Sequence, residues 1–175
     1  MNAFENILTL IDLRSFSSVW FWIVVALFWS TVSHSVLGAS YDLIVQARKS
    51  AGQALADLET LVEISVRRKL ALARRVGHWV TAFVAAMLSL IFVLAFVYGL
   101  ELAQAVFLLA LPLTITRLMV LRLAFRVERE NLRGLSLVHA LMRHRFWIQV
   151  LGVVTIFVTA VWGMLYVMSR SVLFG

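Results

Sequence analysis

Hydrophobic and polar positions alternate along this chain in long blocks. Runs without any Asp, Glu, Lys or Arg occupy positions 15–41, 76–100, 102–116 and 146–169. Each is at or near the ~20 residues that a helix needs to cross a bilayer, and the third reaches that length by running through Arg117 to Leu121. None has the two-residue alternation of a barrel strand. The pattern predicts an all-α, polytopic membrane protein with four transmembrane helices, at about 17–38, 78–99, 102–121 and 146–168.

The segments between these runs have their own patterns. Positions 98–101 read YGLE, a tight turn that would make the second and third spans an antiparallel hairpin. In the segment 39–77, Ser40 is expected to cap a helix, and a break is expected at 50–52. Apolar residues then recur at helical spacing: Leu55, Leu58, Leu61 and Val62. We therefore predict an amphipathic helix that lies on the membrane surface or stacks on a partner, and a shorter one at positions 4–11.

Basic residues set the expected orientation. Nearly all of the 16 Lys and Arg residues lie in two segments, 39–77 and 122–145. By the positive-inside rule these segments face the cytoplasm, which places both termini on the other side. The cations expected to contact anionic phospholipid headgroups are Arg67, Arg68, Lys69, Arg74, Arg75, Arg117, Arg122 and Arg126. Arg117 is expected to snorkel to the headgroups, and the alternative is a buried partner in an anion path.

Composition narrows the function. The chain has 175 residues, of which 62% are hydrophobic and 14% charged, with 0 Cys and a formal net charge of +7. Without Cys there is neither a disulfide nor a thiolate metal site. On so apolar a chain the positive charge indicates lipid headgroups rather than nucleic acid. No acidic residue lies in a span, and no nucleotide-binding, metalloprotease or nucleophile-elbow motif is present. We therefore predict no enzymatic activity, no cofactor and no metal site.

Two sets of positions favour helix–helix association. Ser30, His34 and Gly38 fall at i, i+4 and i+8 of the first predicted span, which would give a narrow face for close approach. Thr159 and Gly163 offer a second small-residue contact in the last span. Small and hydroxyl residues at this spacing are typical of packing faces between membrane helices, so these residues are candidate partner contacts.

His34 also permits a cofactor hypothesis. A membrane histidine with a small residue four positions earlier resembles the chlorophyll-ligating face of bacterial antenna polypeptides, which implies bacteriochlorophyll ligation by His34. A bis-histidine haem near the cytoplasmic surface is the other alternative, since His78, His139 and His144 all map to that side.

Several stretches resemble a family of bacterial multi-pass membrane proteins labelled "component of SufBCD complex". They are IDLRSFS at positions 11–17, HSVLG at 34–38, and YGLE at 98–101 followed by QAVF at 104–107. The resemblance covers about the first two-thirds of the chain. It implies a multi-pass protein of the bacterial inner membrane with a role in iron–sulfur cluster assembly.

Taken together, the sequence favours a non-catalytic accessory subunit or assembly factor of a larger inner-membrane complex, respiratory or photosynthetic. Association-prone helix faces and amphipathic helices without catalytic motifs are the basis of this hypothesis. A small transporter or channel that uses Arg117, and a pigment- or haem-binding protein that uses His34, remain alternatives.

Overall fold

The computed structural model describes residues 19–49 and 52–173, and 92% of this part of the chain is helical. In order, the elements are α1 (Val19–His34), β1 (Ser35–Val36), β2 (Ala39–Ser40), α2 (Tyr41–Lys49), α3 (Gln53–Phe92), α4 (Glu101–Glu130) and α5 (Gly134–Leu173). A π-helix, Val93–Val97, continues α3 without a break. The two strands form a short antiparallel hairpin. The protein is therefore almost entirely helical, as the sequence predicts.

Three helices are long and apolar enough to cross a membrane: Gln53–Val97, Glu101–Glu130 and Gly134–Tyr166. The predicted second, third and fourth spans lie within them. The first predicted span differs, because α1 has 16 described residues, or about 24 Å of helix against a hydrocarbon core of ~30 Å. It also ends at His34, where the hairpin begins, rather than at Gly38. A fourth span stays a prediction.

Helix α3 joins two regions that the sequence analysis separated. With the π-helix it has 45 residues, or about 67 Å, more than twice the thickness of the hydrocarbon core. Nothing at the change from Arg75 to Val76 breaks it, since the basic residues there are good helix formers. The predicted amphipathic helix is therefore not a separate element but the first part of α3. Its position relative to a membrane or a partner stays a prediction.

We call the charged ends of the long helices the polar half: residues 53–75 of α3, 122–130 of α4 and 134–145 of α5. The remainder of these helices is the apolar half. Most of the hydrophobic core lies in the polar half, where α2 also packs. Its buried residues include Ile44, Ala47, Leu58, Val62, Val66, Leu70, Leu123, Ala124, Val127, Leu137, Val138 and Leu141. In the apolar half most large side chains are exposed, and only 6% of the most apolar stretch of α3 is buried.

Glycine and asparagine in left-handed conformations end the long helices. After α3 the chain turns at Gly99, whose φ is +68°, and the N–H of Leu100 donates to the Leu94 carbonyl at 3.2 Å. Asn131, with φ 44°, caps α4. These short turns make α3, α4 and α5 successive antiparallel neighbours, and they confirm the hairpin predicted at Gly99.

Three further predictions concern the cap at Ser40, the break at 50–52 and the amphipathic stripe at 4–11. Ser40 caps α2, because its Oγ accepts a hydrogen bond from the Leu43 N–H at 3.4 Å. Of the break expected at 50–52, Gly52 is described, and it has a non-helical backbone directly before the start of α3 at Gln53, whereas positions 50 and 51 lie outside the described residues. The amino-terminal amphipathic stripe at positions 4–11 lies outside the described residues.

Candidate functional site

A buried glutamine connects the three long helices in the apolar half. Gln104 lies one turn into α4 and is 6% exposed. Its Nε2 donates to the Ala95 carbonyl at 2.9 Å, and its Oε1 accepts from the Trp162 Nε1–H at 3.1 Å. Ala95 is in the π-helix, where the widened backbone turn alters the helical hydrogen-bond ladder. One side chain therefore supplies a partner to a π-helix carbonyl on α3 and to an indole on α5.

Trp162, the indole that donates to this glutamine, belongs to a cluster of four aromatic rings. Phe96 contacts Phe107 and Trp162 in edge-to-face geometry, with ring centroids 5.6 Å apart in both pairs. Phe92 completes the group at 4.9 Å from Phe96 and 5.5 Å from Phe107. Such pairs add about 0.5–1.5 kcal/mol each beyond burial. This cluster was not predicted from the sequence. The sequence feature that could have indicated it is Gln104, an amide within an otherwise apolar run.

Several small residues of α5 are buried, and one of them allows a close approach to α1. Thr159 and Gly163, the predicted contact in the last span, are both buried. The closest approach, however, is at Gly152, which the sequence analysis did not single out. A Cβ on Gly152 would lie 2.9 Å from the Trp29 ring. Thr159 is 1% exposed, and its hydroxyl forms no hydrogen bond within the described part of the chain.

The predicted face of Ser30, His34 and Gly38 does not form as a helical face. Ser30 and His34 belong to α1, but the helix ends at His34, and Gly38 lies in the hairpin turn with φ +84°. The i, i+8 register therefore fails. Gly38 does permit a close approach of another kind, since a Cβ there would lie 2.6 Å from the Ser65 Oγ on α3. The Ser30 side chain is exposed, and the His34 side chain lies outside the described part of the structure.

The predicted headgroup cations are all exposed. Two of them are held by carboxylates. Arg74 binds Glu128 with Nη2 and Oε2 2.5 Å apart, which ties α3 to α4, and Arg126 binds Glu130 at 2.9 Å. The hydrogen bond from Arg126 lowers the pKa of the Glu130 carboxyl below its ordinary value.

Arg117 also lies on the exposed surface of α4 rather than inside the bundle. Among the described residues no hydrogen bond or ion pair of Arg117 is found. Pro112 is one turn earlier and is buried, and the Thr116 hydroxyl donates to the Pro112 carbonyl at 2.9 Å. This position is compatible with snorkelling, and within one chain it places the cation away from the packed interior.

Two open cavities are found in the part of the chain that the structure describes. The larger, about 770 Å³, is lined by residues of α4: Arg122, Phe125, Arg126, Glu128, Arg129 and Glu130. Its carboxylates already bind arginines. The smaller, about 350 Å³, lies between α2 and α5 and is lined by Tyr41, Met142, Arg145, Phe146 and Gln149. There the Arg145 guanidinium stacks over the Tyr41 ring, 4.3 Å from its centroid.

The three histidines whose side chains are described, His78, His139 and His144, do not belong to a group that could hold a metal ion. His144 is buried on α5, and desolvation lowers the pKa of its imidazole below the ordinary value. His78 and His139 are exposed, on α3 and α5 respectively. Within residues 19–49 and 52–173 no group of three or more His, Cys, Asp or Glu side chains could hold a metal ion.

Comparisons with protein-family models, curated proteins and solved structures find no match to this chain. The resemblance to the "component of SufBCD complex" family therefore stays a prediction, and the site must be interpreted from its own geometry.

Proposed function

We propose that this protein is a non-catalytic accessory subunit or assembly factor of a larger complex in the bacterial inner membrane, such as a respiratory or photosynthetic one. The observation that supports this proposal most strongly is a second apolar stripe on the polar half of α3. The first stripe, Leu58 to Leu70, is buried within the chain. The second is exposed, although it lies outside the apolar half that lipid would cover.

The second stripe consists of Leu61, Ile64 and Leu72. They are 43%, 41% and 63% exposed, and they fall within an arc of about 80° on the helix. From Leu61 to Trp79, at the start of the apolar half, the helix rises by about 27 Å. The stripe therefore extends well beyond the depth of the headgroups. Exposed apolar residues aligned along one helix face are typical of protein contact surfaces.

Charge supports a partner of a particular kind. Arg68 lies within the stripe, and Arg67, Lys69 and Arg75 lie close to it in the sequence. We propose that the partner presents an apolar helix face bordered by acidic residues. Such complementarity would fix the register of the contact and speed association.

The same arrangement supports the proposed topology. Along α1 and into α2, Trp29 meets Gly152 and Tyr41 meets Arg145, so α1 runs antiparallel to α5 and towards the polar half. With the basic polar half in the cytoplasm, both termini would be periplasmic. Arg117 is exposed on the surface of the single chain. Under the transporter hypothesis it would therefore have to line a path formed between two or more copies of the chain.

The proposal is tested by native purification of the tagged full chain in mild detergent, followed by mass spectrometry. We expect a stoichiometric partner subunit that is lost with Ile64→Glu, which places a charge in the stripe. Ala56→Glu adds the same charge on another exposed side of α3 and should retain the partner. A wild-type protein that purifies alone, or equal loss with both variants, would contradict the proposal.

A further inference from the structure

One face of α3 stays exposed along most of the helix. We call it the outer face, and it consists of Leu61, Ile64, Arg68, Leu72, Arg75, Trp79, Phe83, Ala86 and Leu90. These positions follow an 11-residue repeat, which begins at 61, 72 and 83. Such a repeat has about 3.67 residues per turn, close to the value of an α-helix, so the face scarcely winds around α3 and lies within an arc of about 100°. A second helix could therefore lie along it for about 43 Å.

The outer face extends the stripe of Leu61, Ile64 and Leu72 into the apolar half. Trp79 and Phe83, which follow the last cation of α3, are 71% and 65% exposed. The stripe and these two aromatic residues lie on the same side of one unbroken helix. A partner helix seated on the stripe can therefore continue along α3 into the apolar half.

Two cations within the outer face define what the partner presents. Arg68 and Arg75 lie about 10 Å apart along the helix axis, and neither forms a hydrogen bond or an ion pair within the described part of the chain. Cations set among exposed apolar residues are matched best by carboxylates on the facing surface. Arg75 is only about 6 Å from Trp79 along the axis, so a carboxylate opposite it belongs to a chain that reaches the apolar half.

A second copy of this chain does not fit the outer face. Copies inserted in a membrane with the same orientation would pair along it in parallel, with Arg68 facing Arg68 and Arg75 facing Arg75. Like charges placed opposite each other in an interface disfavour such a pairing strongly. The charges of the outer face therefore indicate a partner of different sequence.

We propose that this partner is a membrane-spanning chain, one helix of which lies along the outer face from the apolar half into the polar half and places two acidic residues opposite Arg68 and Arg75. The inference rests on the proposed function, because it identifies the kind of subunit that the accessory protein binds. A partner that contacts the polar half alone is the alternative from which the test separates it.

The test is photo-cross-linking of the full chain in native membranes. The photoreactive amino acid p-benzoylphenylalanine replaces either Leu72 in the polar half or Phe83 in the apolar half. We expect both positions to cross-link to the same polypeptide, the partner found by native purification. Controls with the cross-linker at Ala56, on another exposed side of α3, and at Phe157, which is 67% exposed on α5, should give several-fold less of this adduct.

The outcomes separate this inference from the proposed function. A protein adduct at Leu72 with only lipid adducts at Phe83 would overturn the inference and leave the proposed function standing. So would an adduct between two copies of this chain, or different polypeptides at the two positions. A wild-type protein that purifies without a partner would contradict the proposed function, and the inference with it.

Charge reversal tests the acidic residues of the partner. With the cross-linker at Phe83, Arg68→Glu should lower the yield of the adduct several-fold, because the new carboxylate would face a carboxylate of the partner. Arg67→Glu is the matched control, since it makes the same change at an exposed neighbour that lies about 110° from the centre of the outer face. Equal yields in the two variants would contradict the proposed acidic contact.

Discussion

The Gln104 contacts allow the packing of the apolar half to be measured. Gln104→Met keeps the length of the side chain and removes both hydrogen bonds, to the Ala95 carbonyl and from the Trp162 indole. Side-chain hydrogen bonds between membrane helices average about 0.6 kcal/mol each, and a buried acceptor left without a donor costs about 1–3 kcal/mol. Trp162 is 36% exposed, but in the apolar half this exposure is to lipid or detergent tails, which offer its N–H no acceptor. We expect a total loss of about 1–3 kcal/mol in unfolding free energy.

The measurement is equilibrium unfolding of the purified chain in mixed micelles with increasing SDS, followed by circular dichroism. Gln46→Met is the matched control, because Gln46 is exposed on α2 and should tolerate the same substitution. A double-mutant cycle with Trp162→Phe isolates the bond between Gln104 and Trp162, and a coupling of about 0.6–1.7 kcal/mol is expected.

Two results would refute this account. If Gln104→Met destabilises no more than Gln46→Met, the amide does not hold the helices together. If the cycle gives no coupling while the single variants destabilise, the losses arise from ring packing and not from the hydrogen bond.

Three further predictions concern other contacts. Gly152→Ala should destabilise the protein by about 1–3 kcal/mol in the same SDS unfolding assay, because the added Cβ would lie 2.9 Å from a buried indole ring. The control Gly77→Ala, whose Cβ would have its nearest neighbour at 3.9 Å, should be neutral or stabilising. Equal losses in the two variants would contradict the close contact. Glu59→Ala should cost about 1 kcal/mol of unfolding free energy, since the Glu59 carboxylate accepts the Gly134 N–H at 2.6 Å at the start of α5, whereas Glu59→Gln keeps an acceptor and should cost less. Burial lowers the pKa of His144, so its contribution to stability is fully present above the ordinary pKa of about 6.5 and is lost as the pH falls below that value. Between pH 8 and pH 5 the melting temperature should therefore fall less in His144→Phe than in the wild type. Parallel curves for the two proteins would contradict this.

Local chain signals carried the parts of the fold that the sequence predicted correctly. Gly99 adopts a left-handed backbone without strain, and Ser40 offers a side-chain acceptor to the start of a helix. Both residues therefore mark helix boundaries independently of the tertiary structure. Gly52, the described residue of the predicted break, marks the start of α3 in the same way. These signals act over a few residues, which is why the antiparallel arrangement of α3 and α4 could be inferred from sequence alone.

The continuity of α3 and the face at Ser30 were missed for one shared reason. Polarity was used to place helix ends, but a change in polarity does not stop a helix. The change from charged to apolar residues after Arg75 has no effect on the backbone, so one helix crosses it. Conversely, the absence of charged residues through position 38 concealed a turn, which the positive φ of Leu37 and Gly38 reveals. Gln104 was missed because its partners are on distant segments, and no local pattern encodes them.

The uneven distribution of the core supports the proposed role. Where water surrounds the chain, burying apolar residues such as Leu58 and Leu141 stabilises it strongly. Within a bilayer apolar contacts lack that driving force, and helices associate through close approaches and hydrogen bonds. The apolar half has only a few of these within the described chain, at Gly152 and Gln104 above all. The polar half can therefore hold the three helices in register while most of the apolar surface stays free to contact lipid or another subunit, as an accessory protein of a membrane complex requires.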